Sequence, residues 1–287
     1  MPARAEDQAD NKGDRLAALM KRSVGERIVI AGRQRMLAEG MAAKLCYKVS
    51  GIQNASAGRD LYTMWNIFGW YHAGLRHGNT QLELSAESNL DVLNAWAQMD
   101  LIWGGLKGVY EGVIDSDTSD RGTLGVAVDL TEAVTDGASQ LVATLRGAYS
   151  EQLGPQGFGS ALLIDLYERQ RMLGQKIAKD VCLVSLRDTP ATRIAGLEKT
   201  LTLFNLSLDA FQNGLSDVGV PPPPTPEIAQ LLKKARKDWQ PAETWARAAA
   251  EGQALSQTEL ADFADAMDLF ISDMTAAINA LVAFKAR

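Results

Sequence analysis

The sequence predicts an all-α protein made of two tandem four-helix up-down bundles. Three observations lead there. First, Arg33-Gln34-Arg35-Met36-Leu37 recurs as Arg169-Gln170-Arg171-Met172-Leu173, an offset of 169 − 33 = 136 residues, and an internal repeat of that length organises the whole fold. The same offset carries Ala42 to Ala178, Cys46 to Cys182, Leu61 to Leu197, Phe68 to Phe204, Trp103 to Trp239, Leu124 to Leu260 and Leu145 to Leu281. Second, apolar residues fall at helical spacing. Leu197, Leu201, Phe204, Leu208 and Phe211 are spaced 4, 3, 4, 3, and Leu260, Phe263, Met267, Phe270 and Met274 are spaced 3, 4, 3, 4, the core stripes of amphipathic helices. Third, no stretch sustains the period-two alternation of strands bounded by hairpin turns.

The repeat places four helices in each copy. In copy one they are expected near residues 14–50, 59–77, 86–114 and 120–150, and in copy two near 160–187, 190–213, 226–250 and 256–285. The two domains are then 14–152 and 158–287, each of ordinary domain size, divided at the Pro/Gly linker Gly154-Pro155-Gln156-Gly157. Thr189-Pro190 and Thr225-Pro226 each read as an N-cap before a first-turn proline. Ser256 and Glu259 have the spacing of a capping box. Asn213-Gly214 followed by Pro221–Pro224 is a stop signal. Pro241 is expected to kink or split the third helix of copy two, because it lacks an N–H and clashes with the preceding turn.

Composition narrows the function. Of 287 residues, 46% are hydrophobic and 22% charged, a globular balance. A net charge of −6 argues against a broad nucleic-acid-binding surface. Two cysteines and two histidines leave no Cys-rich zinc site and little to build a His-based metal centre. No cofactor is expected. No apolar run reaches the roughly 18 residues of a membrane span, so a soluble chain without membrane insertion is expected. The N-terminal Ala3-Arg4-Ala5 followed by Glu6-Asp7 reads either as the remnant of a secretory signal or as a disordered cytoplasmic tail.

Enzyme signatures are lacking: the chain has no Walker A sequence, no GxSxG elbow and no HExxH, and a non-enzyme is expected. His72 and His77 are five apart, on different helix faces, and His72 maps by the repeat to the core position Leu208. A satisfied core histidine is the reading for His72. Asp115, Asp117 and Asp120 miss the EF-hand pattern, with Val126 where its bidentate Glu belongs, and read as a solvated turn. The Trp and Met residues fall on helical stripes and read as core.

The duplicated Arg-x-Arg-Met is the feature left over. Two arginines two apart point about 200° apart on a helix, so the pair cannot share one role. Arg35 lies on the face of Ala42 and Cys46, and Arg171 on that of Ala178 and Cys182. Small alanines let two helices approach closely. If the first helices of the two copies pack together, Arg35 and Arg171 converge, and two guanidinium groups held together need an anion between them. A planar oxyanion suits their fork geometry. The alternative is that each arginine pairs along its own helix, Arg35 with Glu39 at i+4 and Arg171 with Glu168 at i−3.

At these residues the chain resembles a known family. Ile30-Ala31-Gly32-Arg33-Gln34-Arg35-Met36-Leu37-Ala38-Glu39-Gly40-Met41-Ala42 resembles the first-helix signature of PilJ-type sensor domains, the ligand-binding regions of pilus chemotaxis transducers, related to the nitrate/nitrite sensor NarX. Tyr167–Lys179 resembles it again. The resemblance implies a periplasmic four-helix bundle (the alternative being cytoplasmic) and a nitrate or nitrite site between two first helices. It implies Arg35, Arg171 and Gly32 as ligand contacts, with Arg33 and Arg169 as further candidates. Glu168 replaces the glycine in copy two, which implies either a degenerate half-site or a Glu168 turned outward. Flanking membrane helices and a signalling domain, usual in the family, are not expected in this chain. The implied function is a soluble sensor or binding protein for a small oxyanion, with a membrane sensor or transporter protein as a possible partner and nucleic acid excluded. The competing function is a non-catalytic scaffold in a pilus or chemosensory system. If the first helices pair in parallel, Cys46 and Cys182 come within disulfide range, and a periplasm would oxidise them. The alternative is two separate buried thiols.

Overall fold

A computed structural model describes residues 3–52, 57–187 and 190–285, with the side chains of residues 3–22, 57–59, 156 and 285 outside the description. The regular structure of the described residues is α-helix, with one 3₁₀ turn and two isolated β-bridges in the connections. The helices are α1 (Ala3–Val49), α2 (Ala57–His77), α3 (Leu90–Ser116), α4 (Arg121–Ala148), α5 (Ser150–Ser185), α6 (Ala191–Asn213), α7 (Pro226–Ala250) and α8 (Gln257–Lys285).

Helix ends follow from local chemistry. Asn89 caps α3 by accepting from the backbone N–H groups of Asp91 and Val92, and Asp120 caps α4 through Thr123 N. Thr225 caps α7 through Ile228 N, with Pro226 in the first turn. Ser256 and Glu259 form the reciprocal capping box at α8, at 2.9 and 3.3 Å. Four expectations are corrected. The cap of α6 falls on Pro190, with no side-chain bond, and Thr189 lies outside the described residues. The first helix is helical from Ala3, not from near residue 14; beyond Pro2 its opening residues are mostly good helix formers. The expected linker is a kink rather than a loop: the break falls at Gly154 (φ 62°), as placed, but helix runs from Ser150 up to it and resumes directly after it. Pro241 does not split α7. It faces solvent, where water can satisfy the carbonyl that it leaves free.

Helices α1–α4 pack on one another, as do α5–α8, and the two sets meet chiefly along α1 and α5. The elements recur at the repeat offset down to small features. The bridge Asn79–Leu84 in the α2–α3 turn is matched by Leu215–Val220 in the α6–α7 turn. Phe68 stacks on Trp103 at 3.9 Å between ring centroids, and Phe204 meets Trp239 at 4.5 Å. The second of these cores is closed by Phe263, Phe270, Met274, Ile278 and Leu281 of α8, all essentially buried. By length and composition α8 could cross a membrane, with a mean hydropathy of 1.4 over its best window. Counting unbroken apolar runs missed this, because aspartates interrupt the helix. Its apolar side is nonetheless packed against α7 and α5.

Helices α1 and α5 run parallel and in register. Cys46 and Cys182, separated by 136 residues, are joined by a disulfide with their Cα atoms 6.1 Å apart. Lower on the same seam Arg171 Nη2 contacts Met36 Sδ at 4.0 Å. A Cβ on Gly32 would stand 3.4 Å from the Cβ of Glu168. Each of these pairs is offset by 135 or 136 positions, so each of these α1 residues meets its counterpart in α5 or the residue beside it. Ala42 and Ala178 are buried on these two helices.

Candidate functional site

The seam between α1 and α5 is charged, although it is buried. The side chain of Glu168 has no exposed surface. Its Oε1 accepts from Arg33 Nε at 3.1 Å, and its Oε2 accepts from Arg171 Nη1 at 2.9 Å. One carboxylate thus lies between guanidinium groups from two helices, the coordination that a planar oxyanion would take. Gly32 is where α1 yields the space, since it stands opposite Glu168 at the equivalent position of the repeat. Arg33 also donates to Tyr71 Oη at 3.4 Å and to Asn279 Oδ1 at 3.3 Å. Burial alone would lower the pKa of Arg33, but Glu168 and Tyr71 outweigh it and hold the guanidinium above its ordinary value. For Arg171, burial and repulsion from Arg33 win over Glu168, and the pKa is lowered. It remains a cation, as arginine does in proteins.

The expected convergence of Arg35 and Arg171 on one anion is not what the geometry has. Arg35 is ion-paired with Asp165 of α5, and its Nε is 3.4 Å from Gly32 O. Arg171 takes Glu168, its i−3 neighbour, as the helix-local alternative has it. The i+4 partner foreseen for Arg35 is engaged elsewhere: Glu39 meets Lys179 Nζ at 2.8 Å across the seam. Glu168, expected to degrade the site or turn outward, points inward and completes it. The reason is electrostatic. Arg171 is buried and Arg33 partly so, and a carboxylate on the helix supplies their counter-charge without recruiting an ion from solvent.

A second cluster extends from the Glu39–Lys179 pair. Thr135 donates to Glu39 Oε1 at 3.3 Å. Arg193 reaches Glu132 at 2.9 Å and Asp180 at 3.3 Å, and Lys176 reaches Asp180 at 3.1 Å. Burial opposes the charge on Lys179, yet Glu39 and Asp180 raise its pKa above the ordinary value. Burial would likewise raise the Glu132 carboxyl, but Lys179 and Arg193 hold it below the usual range.

Arg169, the counterpart of Arg33, is exposed and lies in a groove of about 570 Å³ bounded by α1, α4, α5 and α6. His72 is buried, with Nδ1 3.3 Å from Gln34 Nε2 and Nε2 2.9 Å from Asp100 Oδ1, which makes it a satisfied core histidine. Asp117 ends α3 and pairs with Lys48. Sequence reasoning missed Asp165, Lys179 and the groove. Asp165 carried a signal, as a carboxylate inside the apolar run Leu162–Leu166. The long-range pairing of Lys179 with Glu39 carried none.

Residues 156–265 match the family described as type IV pili methyl-accepting chemotaxis transducer N-term, PilJ. The match takes in most of α5, all of α6 and α7, and the start of α8. No curated protein matches the chain. A PilJ domain at residues 156–265 is therefore what the comparisons establish, and it covers the helix that contributes Glu168, Arg171 and Cys182 to the seam.

Proposed function

We propose that the chain is a non-catalytic, sensor-type input module in which two copies of the bundle, α1–α4 and α5–α8, form within one chain the pairing that a sensor dimer makes from two. The observation that carries this reading is the parallel α1–α5 seam, with counterpart residues face to face and Glu168 held between Arg33 and Arg171. A buried seam that carries paired charges has few alternative arrangements of low energy, so a ligand that displaces a bounding helix would be transmitted along it. The Cys46–Cys182 disulfide supports a periplasmic setting, since such bonds persist in oxidising compartments. The partner class is then a membrane sensor or transporter protein that reads the state of the seam.

For the ligand, nitrate or nitrite between Arg35 and Arg171 has less support than the resemblance implies. Each arginine already holds a buried carboxylate, and an incoming oxyanion would have to expel one. The reading is therefore of a seam whose anion is built in, with ligand recognition placed elsewhere on the bundle. Hydrogen exchange tests it, with amide protection along residues 32–46 and 168–182 as the readout. Nitrate, nitrite, sulfate and phosphate should leave that protection unchanged, and a small organic ligand should alter it. Protection by nitrate would overturn the built-in anion. No change with any ligand would overturn the sensor reading.

A further inference from the structure

The two sides of the seam are equivalent by the repeat but are filled differently. On one side Arg33 is closed in by Glu168, Tyr71 and Asn279. On the other side the residues at the equivalent positions are Gly32, Ser207 and Ala143, none able to reach Arg169 with a charge. Arg169 accordingly makes no hydrogen bond or ion pair among the described residues, and the space beside it is the groove between α4, α5 and α6, with Ala143 in its wall. Lys199 lines the same groove, exposed and equally unpaired, where the first copy has Thr63. Arg146 stands where the second copy has Val282, and its Nε is buried with no hydrogen-bond partner.

The remaining charges of the groove are largely spoken for. Arg35 and Arg146 share Asp165, Glu39 holds Lys179, and Lys176 holds Asp180. Against the cations Arg169 and Lys199 stand, among the described residues of the groove, the unpaired carboxylate of Asp136 and that of Glu132, which Arg193 holds at 2.9 Å. Val142, Met172, Leu173 and Leu203 give the groove an apolar wall. A volume of about 570 Å³ falls inside the roughly 300–1,000 Å³ of small-molecule sites and is far larger than an inorganic oxyanion needs. We infer that this groove binds a small organic carboxylate, its anionic end on Arg169 and Lys199 and its carbon chain against Met172 and Leu203. The inference rests on the groove and on the asymmetry of the repeat, and it stands whether or not the seam transmits a signal.

Isothermal titration of the whole chain with succinate, L-glutamate and isovalerate, beside nitrate and sulfate, tests it. At least one organic carboxylate should saturate a single site. Arg169→Ala/Lys199→Ala should weaken that binding about tenfold or more, since two charge-assisted contacts are lost, with an unchanged melting temperature because neither side chain has a partner. Leu203→Glu should abolish binding by placing a carboxylate beside the two cations. The assignment is overturned if none of the three organic acids saturates, if the double variant binds with unchanged affinity, or if sulfate binds as tightly as the best of them.

Discussion

Glu168 shows how one side chain can reverse the meaning of a motif. Read alone, Arg-x-Arg-Met on two paired helices asks for an anion from outside. With Glu168 fully buried between Arg33 and Arg171, the anion is internal. The exchange hangs on Gly32, because a side chain there would crowd both Arg35 and Glu168. His72 is a second single-residue case. Burial, partly offset by Asp100, holds its pKa below the ordinary value. The unfolded chain therefore takes up this proton first as pH falls. The contribution of neutral His72 is complete above about pH 6.5 and is lost as pH drops from there toward the folded value. His72→Leu, the residue found at the equivalent position 208, should cost about 1 kcal/mol at neutral pH by stranding Gln34. It should also flatten the decline in melting temperature between about pH 7 and pH 5. Thermal melts across that range check this, and an unaltered slope would count against it.

At the scale of elements, most of the fold was legible. Helical periodicity and caps located helices of the second half and the repeat carried them to the first, so that the eight helices of the described residues were foreseen; an amphipathic stripe and an N-cap are local properties that packing does not have to supply. What failed were the places where context decides. Pro241 continues α7 because its missing bond faces water, and the Gly154 segment continues as helix after a single break. The α2–α3 and α6–α7 turns are fixed by Gly78 and Gly214, both with φ of 77°. A Cβ on Gly78 would come within 2.6 Å of Ala86 N, and one on Gly214 within 2.9 Å of Pro222 N. Gly78→Ala and Gly214→Ala should therefore each destabilise the chain by about 1–3 kcal/mol. Urea unfolding measures this, and a neutral result at both positions would show that the turns relax freely.

At the scale of the whole molecule, the organising device is the seam of α1 and α5, along which α1–α4 and α5–α8 meet and which Cys46–Cys182 ties. The repeat offset was visible in the sequence, and so was the motif at the seam. The division into a filled side and an open side was not visible. It depends on Tyr71 and Asn279 beside Arg33 and on Ala143 in the groove of Arg169, which come together only when α2, α4 and α8 are docked. Charge added at Arg146 and Lys199 relative to Val282 and Thr63 is readable only once the groove is known to lie between them.

Glu168 occupies the anion position of the seam, and its removal tests this. Glu168→Ala leaves Arg33 and Arg171 facing one another without a counter-charge, at an expected cost of about 3–5 kcal/mol in unfolding free energy. Isothermal titration with nitrate should give no saturable heat with the unaltered chain, saturable binding with Glu168→Ala, and none when Arg171→Ala is added to it. Nitrate binding to the unaltered chain as tightly as to the variant, or a folded Glu168→Ala that takes up no nitrate, would contradict the account.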